Sequence, residues 1–249
     1  MHVGFAKVTR DISERRKLNQ RLQQAADDQA QFLAVTAHEL RTPVGVLAGT
    51  AETLARYWTE LSDVDRDEML AGMTASANRL RRLLSDLLTA SRLQNQALDL
   101  TLEELDLAEV LEAAVTTTRG TEPQAGFEVD VPRGLKVRAD RDRLEQVMEN
   151  LLRNAVRHGV PPVLVRVVVG EQAQIRVSDV GAGVPREMLP RLFERFATGE
   201  RTAGTGLGLF IARELARAQG GDLVYEPGAP AGSGDAFVVS VPLAGVAGG

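Results

Sequence analysis

Apolar positions divide the chain into two regions with different periods. From Ser13 to Gln31 the residues are mostly Arg, Gln, Asp and Ala, and Leu18, Leu22 and Ala25–Ala26 form a thin apolar seam. That pattern predicts a long helix with one narrow sticky edge. It continues unbroken through Phe32, Leu33, Val35 and Leu40 to about Tyr57. Glu60–Asp65 supplies a turn, in which Ser62 and Asp65 resemble a capping box with Asp in place of Glu. A second helix is predicted to about Leu93, with Met69, Met73, Leu80, Leu83, Leu84, Leu87, Leu88 and Ala90 as its apolar residues. A lone hairpin of two such helices leaves apolar surface uncovered. A symmetric dimer forming a four-helix bundle would cover it, as would packing by a second domain.

Residues 95–106 read as a linker. Beyond them the period changes. Leu105–Thr118 predicts a helix, and Phe127, Val129 and Val131, then Leu135, Val137 and Ala139, alternate as strands do. Asp140 caps a helix whose face is Leu144, Val147, Met148, Leu151, Leu152 and Ala155. Strands follow at Val163–Val169 and Gln174–Ser178, helices at Glu187–Phe193 and Gly206–Gln219, and strands at Leu223–Tyr225 and Phe237–Val241. The fold class is multidomain: an all-α helical hairpin, then an α/β sandwich with helices on one face of a sheet.

Composition narrows the function. The 249 residues carry a net charge of -5, which argues against a nucleic-acid binder. Cysteine is absent, so disulfides, thiol catalysis and thiolate metal sites are excluded, and a reducing, cytoplasmic setting fits. Three histidines, His2, His38 and His158, are too scattered for a zinc site. No apolar run is long enough to span a bilayer, so no membrane contact is expected within this fragment. The opening residues to Arg15 read as the last strand of a domain lying upstream.

Candidate chemistry sits at four places. His38 falls off the centre of the apolar stripe, with Glu39 beside it and Thr42 one turn on. An exposed imidazole can attack an electrophile while an adjacent carboxylate orients its other proton. Pro43 removes the amide that would bond Glu39, so a bend is expected there. Asn150 and Asn154, four apart, share a helix face expected to lie opposite much of the Leu/Val stripe. Their amide oxygens can complete the shell of a hydrated Mg2+, and Arg157 can reach a phosphate. In Ser178-Asp-Val-Gly-Ala-Gly-Val-Pro185, Gly181 and Gly183 let the backbone approach a flat ligand. Asp179 there can accept from the exocyclic amino group of adenine, where guanine presents a carbonyl. Gly204-Thr-Gly-Leu-Gly-Leu-Phe210 opens a helix, so the amides around Gly204, Thr205, Gly206, Leu207 and Gly208 can meet phosphate. Phe196–Ala203, between these last two motifs, reads as a lid.

Together these motifs resemble the catalytic core of a two-component sensor histidine kinase. His38-Glu-Leu-Arg-Thr-Pro43 is similar to that family's phosphoacceptor box, the two-asparagine helix to its N box, Asp179-Val-Gly-Ala-Gly183 to its G1 box, Leu192-Phe-Glu-Arg-Phe196 to its F box and Gly204-Thr-Gly-Leu-Gly-Leu209 to its G2 box. The resemblance covers about Gln20 to Leu243. Arg157 stands where the family commonly has lysine, and Gln219 where it usually has histidine. The resemblance implies residues 1–12 as the end of a PAS-like sensor domain, 13–30 as a coiled-coil signalling linker, 31–94 as the dimerisation and phosphotransfer domain, 95–106 as linker, 107–243 as a Bergerat-type ATP-binding domain and 244–249 as a tail. It also implies ATP and Mg2+ as cofactors, with Mg2+ at Asn154 assisted by Asn150, a homodimer, and a response regulator receiver domain as partner. His38 would accept the phosphoryl group, Glu39 would act as base or orienter, and Thr42 would position a water for phosphatase activity on the regulator.

Two other readings compete. A chaperone- or topoisomerase-like ATPase with the same pocket places a water-activating glutamate where Asn150 stands. Glu149 is one residue away, roughly 100° around the helix, and should point elsewhere. A catalytically dead dimerisation scaffold would not need His38, Asn154, Asp179 and the glycines intact.

Overall fold

The computed structural model describes residues 13–94, 98–122, 124–197, 206–228 and 234–245; before residue 32 only scattered side chains are described. The expected PAS-like end, residues 1–12, and Gly204 and Thr205 lie outside the described residues. The chain divides into two compact units, one up to Leu80 and the other from Arg81 onward.

In the first unit, α1 (Ser13–Tyr57) runs as one helix through Pro43, whose ring is buried. Ser62 and Asp65 form the expected reciprocal cap at the start of α2 (Asp63–Gln94): the Asp65 amide donates to the Ser62 hydroxyl at 3.1 Å and the Ser62 amide to the Asp65 carboxylate at 3.2 Å. The Ser62 hydroxyl, which donates to the same carboxylate at 2.6 Å, and then the Ser62 amide hold the Asp65 carboxyl below its ordinary range. Trp58 and Arg66 pin the turn, the guanidinium lying 4.9 Å from the ring centroid and donating to the Trp58 carbonyl at 2.9 Å. α2 then returns along α1, bringing Arg79 to Glu39 at 2.9 Å.

The second compact unit begins within α2. The stretch expected as linker ends in a short strand, β1 (Glu103–Asp106), paired antiparallel with β3 (Lys136–Ala139). Only Leu105 is buried in it, between acidic neighbours, which is too little periodicity to mark a strand. α3 (Leu107–Thr121) follows, capped by Asp106. The main sheet has the order β2-β4-β5-β7-β6, from β2 (Phe127–Asp130), β4 (Val163–Val169), β5 (Gln172–Ser178), β6 (Asp222–Glu226) and β7 (Ala236–Pro242). β2 and β4 are parallel and the other pairs antiparallel. Register aligns Ile175 with Val167 and Val239, and Val177 with Val165 and Phe237, so one face is continuous hydrocarbon. α3, α4 (Arg141–His158) and α5 (Gly208–Ala218) contribute Leu111, Leu144, Met148, Leu151, Ile211 and Leu215 to the same buried layer. Where Glu187–Phe193 was expected as a helix, only a 3-10 turn forms at Leu189–Arg191, because Pro190 cannot supply the amide that a further turn needs.

Gln219 closes the helical layer. Buried, its side-chain oxygen accepts from the Asp140 amide at 2.9 Å and its amide donates to the Leu215 carbonyl at 3.0 Å. Asp140 in turn caps α4 through Arg143 at 3.1 Å and accepts from Thr101 at 2.9 Å. One side chain thereby ties the end of α5 to the start of α4.

A cavity of about 260 Å³ separates the end of α2 from α4, with an ionic lining that includes Arg82, Asp86, Glu149 and Arg153. Burial raises the Asp86 carboxyl to about 6, against the pull of Arg153 and Arg82, and Glu149 adds to the rise.

Gln219→Ala leaves the Asp140 amide without its acceptor and should cost about 1–3 kcal/mol in urea unfolding at an unchanged slope. Asp86 is protonated more readily folded than unfolded, so its contribution is fully present below pH 3.8 and lost as pH rises through about 6. The gap corresponds to about 3 kcal/mol. Asp86→Asn should therefore stabilise at pH 7.5 relative to wild type and lose that advantage near pH 4.

Candidate functional site

In the second unit, α4 presents both asparagines. Asn150 is only 7% exposed, so it borders the apolar stripe and does not oppose it: Leu151 and Val147 lie within about 100° of it around the helix. Its side-chain amide donates to the Gly208 carbonyl at 3.2 Å and its oxygen accepts from Arg153 at 2.6 Å. Asn150 therefore couples α4 to the first turn of α5. Asn154, one turn on, is half-buried, and its side chain makes no hydrogen bond among the described residues. Arg157 is exposed at the end of the helix. Glu149 is held by Arg153 at 3.0 Å.

Asp179 closes β5. One of its oxygens, Oδ1, accepts from two amides, Gly181 at 2.7 Å and Val160 at 3.1 Å. The Val180 amide returns to the Val160 carbonyl at 3.0 Å, joining the turn after α4 to the turn after β5. The other oxygen, Oδ2, makes no hydrogen bond among the described residues. Gly159, which sequence reasoning passed over, makes this possible: a Cβ there would stand 2.3 Å from the Asp179 Cγ. Its only local signal was its place just past a helix end. Gly183 has a φ of +71°, the conformation glycine is needed for.

The third motif is described from Gly206. Gly206 also has positive φ, at +64°, and a Cβ on it would be 2.6 Å from the Phe196 backbone. The Phe196 amide donates to the Gly206 carbonyl at 3.1 Å, and residues 198–203 of the expected lid lie outside the described residues. Phe196 itself has φ of +62°, a costly conformation for an aromatic residue. α5 starts at Gly208 after buried Leu207, two residues later than expected, and no side chain caps it. A helix start without a side-chain cap is the kind of place where backbone amides can meet an anion. Phe193 packs edge-on against Phe237 at 6.5 Å, with the Arg213 guanidinium 4.7 Å from the Phe193 centroid.

Asn154 near the end of α4, the Asp179 oxygen that makes no hydrogen bond among the described residues, the two positive-φ glycines and a helix start without a side-chain cap thus belong to one domain. In the first unit His38 is exposed on α1, and Thr42 is exposed one turn on. Glu39 is half-buried and fixed by Arg79, a partner forty residues away that no local pattern revealed.

Residues 28–96 match the His Kinase A (phospho-acceptor) domain, and residues 139–245 match the Histidine kinase-, DNA gyrase B-, and HSP90-like ATPase family. The chain carries the two domains of a histidine kinase catalytic core. This histidine kinase core is 32% identical over 228 residues to the signal transduction histidine-protein kinase AfsQ2 of Streptomyces coelicolor, covering 85% of this chain and 41% of that protein. It superimposes on the Acinetobacter baumannii histidine kinase AdeS with a TM-score of 0.63 and 27% identity, over 83% of this chain and 98% of that one. Full-length ShkA, solved in complex with AMPPNP, gives a TM-score of 0.58 at 28% identity, over 86% of this chain and 46% of that one. The chain spans about two fifths of the length of AfsQ2. The ATPase family assigns ATP binding to the second unit of the histidine kinase core.

Gly159→Ala drives a methyl group into the Asp179 carboxylate. ADP affinity, measured by isothermal titration calorimetry, should fall at least about tenfold while circular dichroism stays native.

Proposed function

We propose that this chain is the ATP-dependent autokinase core of a two-component sensor, which phosphorylates His38 and passes the phosphoryl group to an aspartate of a response regulator receiver domain. The observation that carries the reading is His38 itself, exposed and without a hydrogen bond among the described residues, beside a carboxylate that Arg79 immobilises. The imidazole attacks the γ-phosphorus, the nitrogen–phosphorus bond forms as the bond to the β,γ-bridging oxygen breaks, and ADP leaves. Glu39 orients the ring through the proton on its other nitrogen.

The adenine amino group is assigned to the free Asp179 oxygen, and the base lies against Gly181 and Gly183. Phosphates meet the start of α5 at Gly206, Leu207 and Gly208, with Gly204 and Thr205 of the same sequence motif and with Arg157 supplying charge. Asn154 fits Mg2+, since its amide oxygen accepts no hydrogen bond among the described residues, whereas Asn150 retains one lone pair beside the Arg153 bond. Mg2+, when bound, neutralises phosphate charge. Thr42 positions a water for dephosphorylating the regulator. The exposed Leu33, Leu84 and Leu88 support a homodimer through a four-helix bundle. A PAS-like sensor upstream, the signalling linker at 13–30 and a cytoplasmic setting complete the reading; no helix among the described residues is long and apolar enough to cross a membrane.

The ATPase alternative loses its base. Glu149 is ion-paired to Arg153, facing an ionic cavity lined by none of the glycine motifs.

Incubation with γ-labelled ATP should give acid-labile, alkali-stable label on the wild-type chain. His38→Gln should abolish it, and Glu39→Gln should slow it about 100-fold or more with ATP binding intact. Label that persists in His38→Gln removes this histidine as acceptor, and steady hydrolysis without label favours the ATPase.

A further inference from the structure

The connection between β6 and β7 bears on the Asp179–Val184 turn at two points. Gly234 lies against the Asp179 carbonyl, so closely that a Cβ there would be 2.9 Å from that oxygen. Asp235 lies against Gly183, where a Cβ would fall 1.3 Å from its Oδ2. Asp235 is itself held. Its Oδ1 accepts from the Gly228 amide at 2.6 Å, and its Oδ2 accepts a short hydrogen bond from the Tyr225 hydroxyl. That hydroxyl in turn accepts from the Val184 amide at 2.9 Å, and the Tyr225 ring rests on Phe237 at 5.3 Å between centroids. The chain Gly228–Asp235–Tyr225–Val184 thus anchors the far end of the turn that Asp179 anchors at its start. The pair keeps the needed protonation states near neutral pH. Hydrogen bonds from Tyr225 and Gly228 hold the Asp235 carboxyl below its ordinary range, and burial, then the Asp235 bond, push the Tyr225 hydroxyl up.

We propose that Tyr225 and Asp235 are positioning residues for the nucleotide: their hydrogen-bonded pair, braced by Gly228, holds Gly183 and Val184 in the shape that receives the adenine ring. The inference rests on the reading of the Asp179–Val184 turn as the base site. Neither residue touches ATP or the transferred phosphorus. Their loss therefore lowers affinity for any adenine nucleotide and leaves the chemical step of bound ATP nearly unchanged. The two act as one unit, since Tyr225 accepts the Val184 amide while Asp235 fixes the Tyr225 hydroxyl, so their effects are not additive.

The test uses the intact chain, with ADP binding by calorimetry and autophosphorylation at varied ATP. Tyr225→Phe removes a single oxygen and keeps the ring on Phe237. It should weaken ADP about fivefold to tenfold and raise KM for ATP by a similar factor, with kcat within twofold and Tm nearly unchanged. Asp235→Ala should do at least as much, Asp235→Asn, which keeps one acceptor oxygen, should do less, and the double variant Tyr225→Phe/Asp235→Ala should match Asp235→Ala alone. If Asp235→Ala does not fold, Tyr225→Phe and Asp235→Asn decide. Wild-type affinity in Tyr225→Phe, or multiplicative losses in the double variant, overturns the positioning role. Should Asp179→Ala bind ADP as wild type does, the base site is wrongly placed, and that failure is distinct from the first.

Discussion

One carboxylate organises the nucleotide domain. Asp179 ends a buried strand, and with a single oxygen it takes the amides of Gly181 and Val160. Those amides belong to different connections, one after β5 and one after α4, which no backbone ladder joins beyond the Val180–Val160 bond. A charged acceptor strengthens both bonds. It leaves the second oxygen fixed in direction and without a hydrogen bond among the described residues, which is the condition for reading a donor on a flat ligand. The same requirement explains Gly159: any side chain there would displace the carboxylate.

The rest of the domain supports this arrangement at a distance. Asn150 links the α4 helix to the α5 start, and Gln219 links the other ends of the same two helices. Both are buried polar residues with their hydrogen bonds made, in a layer otherwise built from Leu, Val, Ile and Ala. Such groups specify how neighbouring helices align, because a shifted helix would leave them unpaired. Gln219 occupies the place where the family resemblance leads one to expect histidine, and a carboxamide supplies the required acceptor and donor at once. The phosphoacceptor side has a parallel device: Glu39 is held by Arg79, so the carboxylate beside His38 has a defined position, and the imidazole itself is exposed.

What the residues disclosed in advance follows from the range of each interaction. Stripes such as Leu144–Val147–Leu151 and alternations such as Leu135–Val137–Ala139 are local and strong, so helices and strands were legible, as were Asp140 and the Ser62–Asp65 caps. β1 was hidden because Leu105 is alone among acidic residues, and its partner β3 lies thirty residues on. The region around Pro190 looked helical by composition but lacks the amide. Asn150 was expected on an outward face, yet it sits at the stripe's edge, since its hydrogen bonds to Gly208 and Arg153 make burial tolerable. Arg79, Gly159 and Gln219 matter through contacts across the fold, which no window of sequence contains.

The central claim is that the phosphoryl group of ATP is transferred to the His38 ring. Phosphorus NMR of the purified chain with ATP and Mg2+, followed by mass spectrometry of peptides kept at alkaline pH, measures this directly. The account predicts a phosphoramidate resonance appearing as ADP forms, with the added mass confined to the peptide containing His38. Accumulation of ADP and free phosphate with no phosphoramidate signal, or the mass on any other residue, would contradict it.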